Sequence, residues 1–136
     1  MMNPEVKLWL DLAKQDHGVA GHLYKTYYPK PYEIICYHCQ QAAEKAIKAV
    51  LLSCDLKDGL PKSHDLSFLL NQIKNIVKID EKILDYADTL TPYGISVRYP
   101  NELFLEDHHA AAALEMARDV IAWSEKQIED RMIQEG

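Results

Sequence analysis

Three groups of residues in this chain have types and spacings suited to chemistry. The first lies in the stretch from Cys36 to Leu52, which reads C-Y-H-C-Q-Q-A-A-E-K-A-I-K-A-V-L-L. Here His38, Gln41, Lys45 and Lys48 recur at 3-4-3 spacing, which places them on one face of a helix. Gln40 and Glu44 extend the polar surface around one side. Two readings of this ridge stand open. Glu44 and Lys48 form a favourable i,i+4 pair, so the ridge can be a solvated, salt-bridged edge. Alternatively, Gln41, Lys45 and Lys48 line a cleft and meet phosphate.

The second and third groups are single residues in short fragments. His64 stands in K-S-H-D-L at the start of an expected helix, where it either joins the capping network or acts as a general acid or base near neutral pH. Arg98, in R-Y-P, is the first arginine of the chain, and the next is Arg118. A planar guanidinium beside Tyr99 and Pro100 suits two-point binding of a carboxylate or phosphate. Its structural alternative is an ion pair to Asp16 or another bundle carboxylate.

The remaining polar candidates read as structural. Asp16 and His17 lie by the apolar seam of the first helix, where polar groups are ordinarily satisfied internally. Cys36 and Cys39 lack the second ligand pair of a zinc site and read as small core residues. His108 and His109 are adjacent, so they face different directions and do not form an i,i+4 metal pair. No H-E-x-x-H, P-loop, G-x-G-x-x-G or nucleophile-elbow pattern occurs, so neither a metal nor a cofactor is expected.

Helices must position these groups, since no segment alternates like a strand. Asn3 and Pro4 open a first helix that runs to about Tyr28, with a seam of Val6, Leu10, Ala13, Ala20, Tyr24 and Tyr27. The second spans about Tyr32 to Ser53 and is apolar over most of its circumference. Either it is the core helix of a monomer, or it also packs on a second subunit, and its wide apolar arc favours the second. Ser63 caps a short third helix from Asp65 to about Asn75, and Asp80 caps a fourth that ends at Leu90. The segment from Tyr93 to Leu105 is irregular but packed down. A last helix runs from about Glu106 to Met132 with a seam of Ala110, Ala113, Leu114, Ala117, Ile121, Ser124 and Ile128. The expected fold is all-α, an antiparallel up-and-down bundle of about five helices.

The chain has 136 residues, fitting a single domain over 1–136. Its net charge of −6 argues against a surface that traps nucleic acid everywhere. Acids crowd the last helix, whereas Lys45, Lys48, Lys57, Lys62 and Arg98 lie in the middle, so a local basic cleft would form there. Three cysteines imply no exported disulfide framework. Without an apolar membrane-length run or a signal-peptide pattern, no membrane association and a cytoplasmic location are expected.

With its order H-C-Q-Q-A-A-E-K-A-I-K-A, then S-H-D-L, then R-Y-P, the chain resembles the HEPN domain family (higher eukaryotes and prokaryotes nucleotide-binding). The resemblance covers almost the whole chain. It implies a helical bundle that forms homodimers, often as one half of a toxin–antitoxin-like pair with a minimal nucleotidyltransferase. Many HEPN proteins are metal-independent ribonucleases whose R-x(4–6)-H motifs meet across the dimer. This chain departs from that motif: after Arg98 the next histidine is His108, outside the window, and none follows Arg118 or Arg131. Two functions follow. One is a non-catalytic or weakly catalytic module that binds nucleotide, RNA or the nucleotidyltransferase through Gln41, Lys45, Lys48, Arg98 and Tyr99. The other is a metal-independent endoribonuclease with a diverged site of His64 and Arg98.

Overall fold

A computed structural model describes residues 2–96 and 104–135, all of them in helices, turns or loops. The first helix, α1 (Pro4–Thr26), begins as its sequence dictates. Asn3 Oδ1 accepts the Glu5 N–H at 2.8 Å, and Pro4 takes the first helical position, where no N–H is needed. Pro29 and Pro31 separate it from α2 (Tyr32–Ser53). The short α3 (Leu66–Asn71) starts later than expected. Its cap is Asp65, which accepts from the Phe68 N–H at 3.2 Å, while Ser63 Oγ accepts from the Asp65 N–H in the turn before it. Asp80 is the N-cap residue of α4 (Glu81–Leu90). The segment read as irregular contains one turn of helix, α5 (Tyr93–Ser96). The last helix, α6 (Asp107–Glu135), is the longest, and His109 Nδ1 reaches back to accept the Glu106 N–H at 3.0 Å.

Contacts at the helix ends set the directions. Tyr24, near the end of α1, donates to Asp107 at the start of α6 at 2.8 Å, so these two helices run antiparallel. That carboxylate is the main reason the Tyr24 phenol is pushed above its ordinary value. At the other end Arg131 Nε donates to the Ser53 carbonyl at 3.1 Å, which brings the C-terminal turns of α2 and α6 together. Small residues face one another across these helices: Ala42, Ala43 and Ala46 on α2, Ala13 and Ala20 on α1, and Ala110, Ala113 and Ala117 on α6, all buried. Alanine faces let helix axes approach closely, and α2 occupies the centre, touching all five other helices.

The broad apolar arc of α2 is therefore covered within the chain. Ile35, Cys39, Ile47 and Val50 are fully buried, and each large aliphatic among them contributes about 1.5–3 kcal/mol. The width of that arc is no argument for a second subunit. The seams of α1 and α6 are buried largely as expected. Tyr27 is exposed, however, and Val120 and Trp123 join the buried face of α6.

Candidate functional site

Of the two open readings of the polar sector of α2, the solvated edge fails on one side only, since His38, Gln41 and Lys45 stay partly exposed. Gln40, Glu44 and Lys48 are all buried. Lys48 Nζ donates to Glu44 Oε2 at 2.9 Å and lies 5.9 Å from the centre of the Trp9 ring of α1, within cation–π range. The i,i+4 pair foreseen in the sequence is present, but in the interior. There, unlike on a surface, removing one partner is severe.

Glu44 also organises His64. The imidazole Nδ1–H donates to Glu44 Oε1 at 2.8 Å, although the His64 side chain is 73% exposed and that of Glu44 only 5%. Gln40 Nε2 donates both to Glu44 Oε1 at 3.2 Å and to the His64 carbonyl at 3.0 Å. A buried carboxylate thus fixes the tautomer of an exposed histidine and leaves Nε2 facing outward, able to take up a proton. Gln41 Nε2 donates to Gln40 Oε1 at 2.7 Å and so belongs to the same network. Backbone packs onto it as well. A Cβ on Gly94 of α5 would lie 2.8 Å from Gln40 Cδ, so only glycine lets α5 come this close.

Lys45 belongs to a second cluster. Asp16 of α1 accepts from Lys45 Nζ on one oxygen and from His38 Nδ1–H on the other, at 3.0 Å in the second case. Both oxygens of Asp16 are engaged. Arg98 and Tyr99 lie outside the described residues. The structure brings His64, Lys48, Glu44, Gln40 and Gln41 together and sets Lys45 with Asp16 and His38. Sequence reading treated Asp16 and Glu44 as structural groups. The spacing of Glu44 and Lys48 was a signal for one of them, but nothing local announces that His38 meets Asp16.

The residues read as structural fall into place. His17 Nε2 donates to the Leu114 carbonyl at 2.9 Å. His108 and His109 do not diverge as expected: their rings lie 4.0 Å apart, tilted by 35°. Cys36 and Cys39 are buried free thiols. Burial pushes Cys36 up to about 12, and the Cys39 thiol is raised further by the same cause. Thiols held protonated in this way are poor nucleophiles and poor metal ligands.

Comparison with known proteins matches the HEPN domain family to residues 6–127. The chain belongs to the HEPN domain family. Among its relatives, the Methanocaldococcus jannaschii protein called "Putative toxin MJ1304" is 33% identical over 108 residues, covering 74% of this chain. The match spans 66% of that relative's own length. Two crystal structures share the HEPN bundle. TT1696 from Thermus thermophilus superposes with a TM-score of 0.75 at 23% identity, over 92% of this chain and 99% of its own. ST0689, an archaeal HEPN homologue, gives a TM-score of 0.71 at 25% identity, over 90% and 97%. The all-helical bundle read from the sequence is the HEPN fold, and the network around Glu44 lies inside the matched region.

Proposed function

We propose that this chain is the toxin-side member of a toxin–antitoxin-like pair and cuts RNA as a metal-independent endoribonuclease. It acts as one HEPN unit over residues 1–136, in a homodimer, with His64 and Arg98 in the site. The observation that carries this reading is the exposed His64 imidazole, its Nδ1–H held at 2.8 Å by the buried Glu44. An imidazole oriented in this way can move a proton to or from a reacting hydroxyl, and Arg98 would supply charge for the phosphate. The toxin name of the M. jannaschii relative supports the same direction.

The test is cleavage of a mixed single-stranded RNA in EDTA by the wild type, His64→Ala and Arg98→Ala, each shown to be folded. Loss of about 10²–10⁴-fold in His64→Ala is expected for a proton-transfer group. Cleavage at the wild-type rate by both variants removes the assignment.

The missing R-x(4–6)-H spacing favours a second reading, a binding module for nucleotide, RNA or a minimal nucleotidyltransferase. Lys45 and Lys48 are already paired with carboxylates, so phosphate binding in this case would lean on Gln41, Arg98 and Tyr99. A homodimer belongs to either reading. No RNA cleavage by the wild type, together with co-purification of a nucleotidyltransferase, would select this reading.

A further inference from the structure

Lys45 and Lys48, the phosphate candidates on α2, are held by Asp16 and Glu44. Other lysines also face acids: Lys7 pairs with Asp11, Lys14 with Glu125, Lys82 with Asp119 and Lys126 with Asp130. Lys62, Lys74 and Lys78 are different. All three are exposed, and among the described residues none meets a carboxylate. They share one stretch, residues 59–79, whose single acid is Asp65. That carboxylate is engaged in capping α3, where it accepts from the Phe68 N–H at 3.2 Å. In a chain of net charge −6 this stretch is locally positive. An unpaired ammonium can neutralise a phosphate and release its counterion without first breaking an ion pair.

His64 lies inside this stretch. Lys62 precedes it by two residues, which keeps their Cα atoms within about 7 Å. The six residues of α3 cover about 9 Å, and Lys74 follows beyond their far end. Asp65, next to His64, holds the Phe68 N–H, so Phe68 and His64 belong to the same end of α3. Leu66, Leu69 and Leu70 are fully buried, whereas Phe68 is 47% exposed. An aromatic ring in water, in a stretch of unpaired lysines, offers a base a face to stack on. Acids mark the limit of this surface. Ser67 Oγ donates to Asp88 at 2.6 Å, and Glu81 and Asp85 of α4 are exposed. These carboxylates repel phosphate from the α4 side and leave the surface around Phe68 for a strand.

We propose that single-stranded RNA lies along this surface, with phosphates on Lys62 and Lys74 and a base stacked on Phe68, and that this placement brings a phosphodiester to His64. The inference deepens the ribonuclease reading above and rests on it for what happens at His64. Binding itself makes and breaks no covalent bond. Lys62 holds the phosphate next to the one being cut, and Lys74 holds the strand at the far end of α3. Lysines and a phenyl ring read charge and a π-face rather than base edges, so the surface takes RNA of mixed sequence.

The test is binding of a 2′-O-methyl RNA strand of mixed sequence, which has no 2′-hydroxyl to attack phosphorus and is not cleaved. Fluorescence anisotropy at several salt concentrations gives the slope of log K against log salt. Lys62→Gln and Lys74→Gln keep much of the side-chain stem and remove the charge. Each should flatten the slope by about 0.7, the value of one phosphate contact on a single strand. Lys25, exposed and unpaired among the described residues in the last turn of α1, is the control, and Lys25→Gln should leave the slope unchanged. Phe68→Ala should weaken binding about 5–150-fold, the range for one stacked base, with no change of slope, and Phe68→Tyr should bind like wild type. Wild-type slopes in Lys62→Gln and Lys74→Gln, an equal loss in Lys25→Gln, or full affinity in Phe68→Ala overturns the proposal. So does the absence of binding by the wild type. In each of these cases RNA cleavage that is lost in His64→Ala keeps the ribonuclease reading. Binding with the expected slopes but no cleavage of unmodified RNA brings down that reading and leaves the RNA surface in place.

Discussion

The two carboxylate clusters on α2 have the same composition and different origins. Around Glu44, acid and lysine come from one helix, four residues apart, and only the histidine is brought from elsewhere. Around Asp16, the acid comes from α1, while lysine and histidine both belong to α2. Burial differs too. The Glu44 and Lys48 side chains are 5% and 8% exposed, against 14% for Asp16 and 25% for Lys45. The first cluster is an interior ion pair with an imidazole at its mouth, and the second is a seam between helices that water still reaches. Identical chemistry should therefore carry unequal energetic weight.

The largest expected effect is on stability. Glu44→Ala leaves the Lys48 ammonium buried without its partner and should cost about 3–5 kcal/mol. Asp16→Ala leaves Lys45 with access to solvent and should cost about 1–3 kcal/mol. Urea unfolding of both variants checks the difference, and an equal or larger loss in Asp16→Ala would show that burial does not separate the clusters.

Two glycines give the next contrast, Gly94 packed on Gln40 and Gly18 in open space on α1. Gly94→Ala drives a Cβ to within 2.8 Å of Gln40, whose amide is committed to Glu44 and His64, and should cost about 1–3 kcal/mol. Gly18 of α1 has nothing within 4 Å of the equivalent position. Gly18→Ala should therefore stabilise by about 0.5–1 kcal/mol through helix propensity alone. Melting temperatures moving in opposite directions would support the close packing of α5 on Gln40, and a neutral Gly94→Ala would refute it.

The smallest effect concerns the apolar flank of α2, set against its polar one. In the unfolded chain Cys36 titrates near its ordinary 9.0, whereas burial raises it to about 12 in the fold. Between these values the unfolded state has lost a proton that the folded state keeps, so stability falls as pH rises. Unfolding free energies at pH 8 and pH 10 should differ less in Cys36→Ala than in wild type. Thiol reagents should leave Cys36 and Cys39 unmodified until the chain is unfolded. Rapid modification in the native protein would show that this flank is open.

Much of the fold was legible from local signals. Asn3–Pro4 and Asp80 announce helix starts, and the paired prolines Pro29 and Pro31 announce a break, because capping and φ restriction act within a few residues. The cap of the third helix was misread by two positions, since Ser63 and Asp65 are both good caps and only Asp65 reaches the Phe68 N–H, and the helix ends at Asn71 rather than near Asn75. The site was less legible. The 3-4-3 spacing put His38, Gln41, Lys45 and Lys48 on one face, but spacing does not tell whether a face meets water or another helix.

Residue types and helical period were enough to specify the bundle, the central helix and one of its ion pairs, because each depends on neighbours within a turn. Packing alone decided which acid each histidine meets, since His64 lies 20 residues from Glu44 and His38 lies 22 from Asp16. Packing also buried Glu44, Lys48 and Gln40 by laying α1, α5 and the loop before α3 around α2. A partner brought from a distant turn has no fixed phase relative to the helix it joins. Its position follows from the whole core rather than from any local pattern.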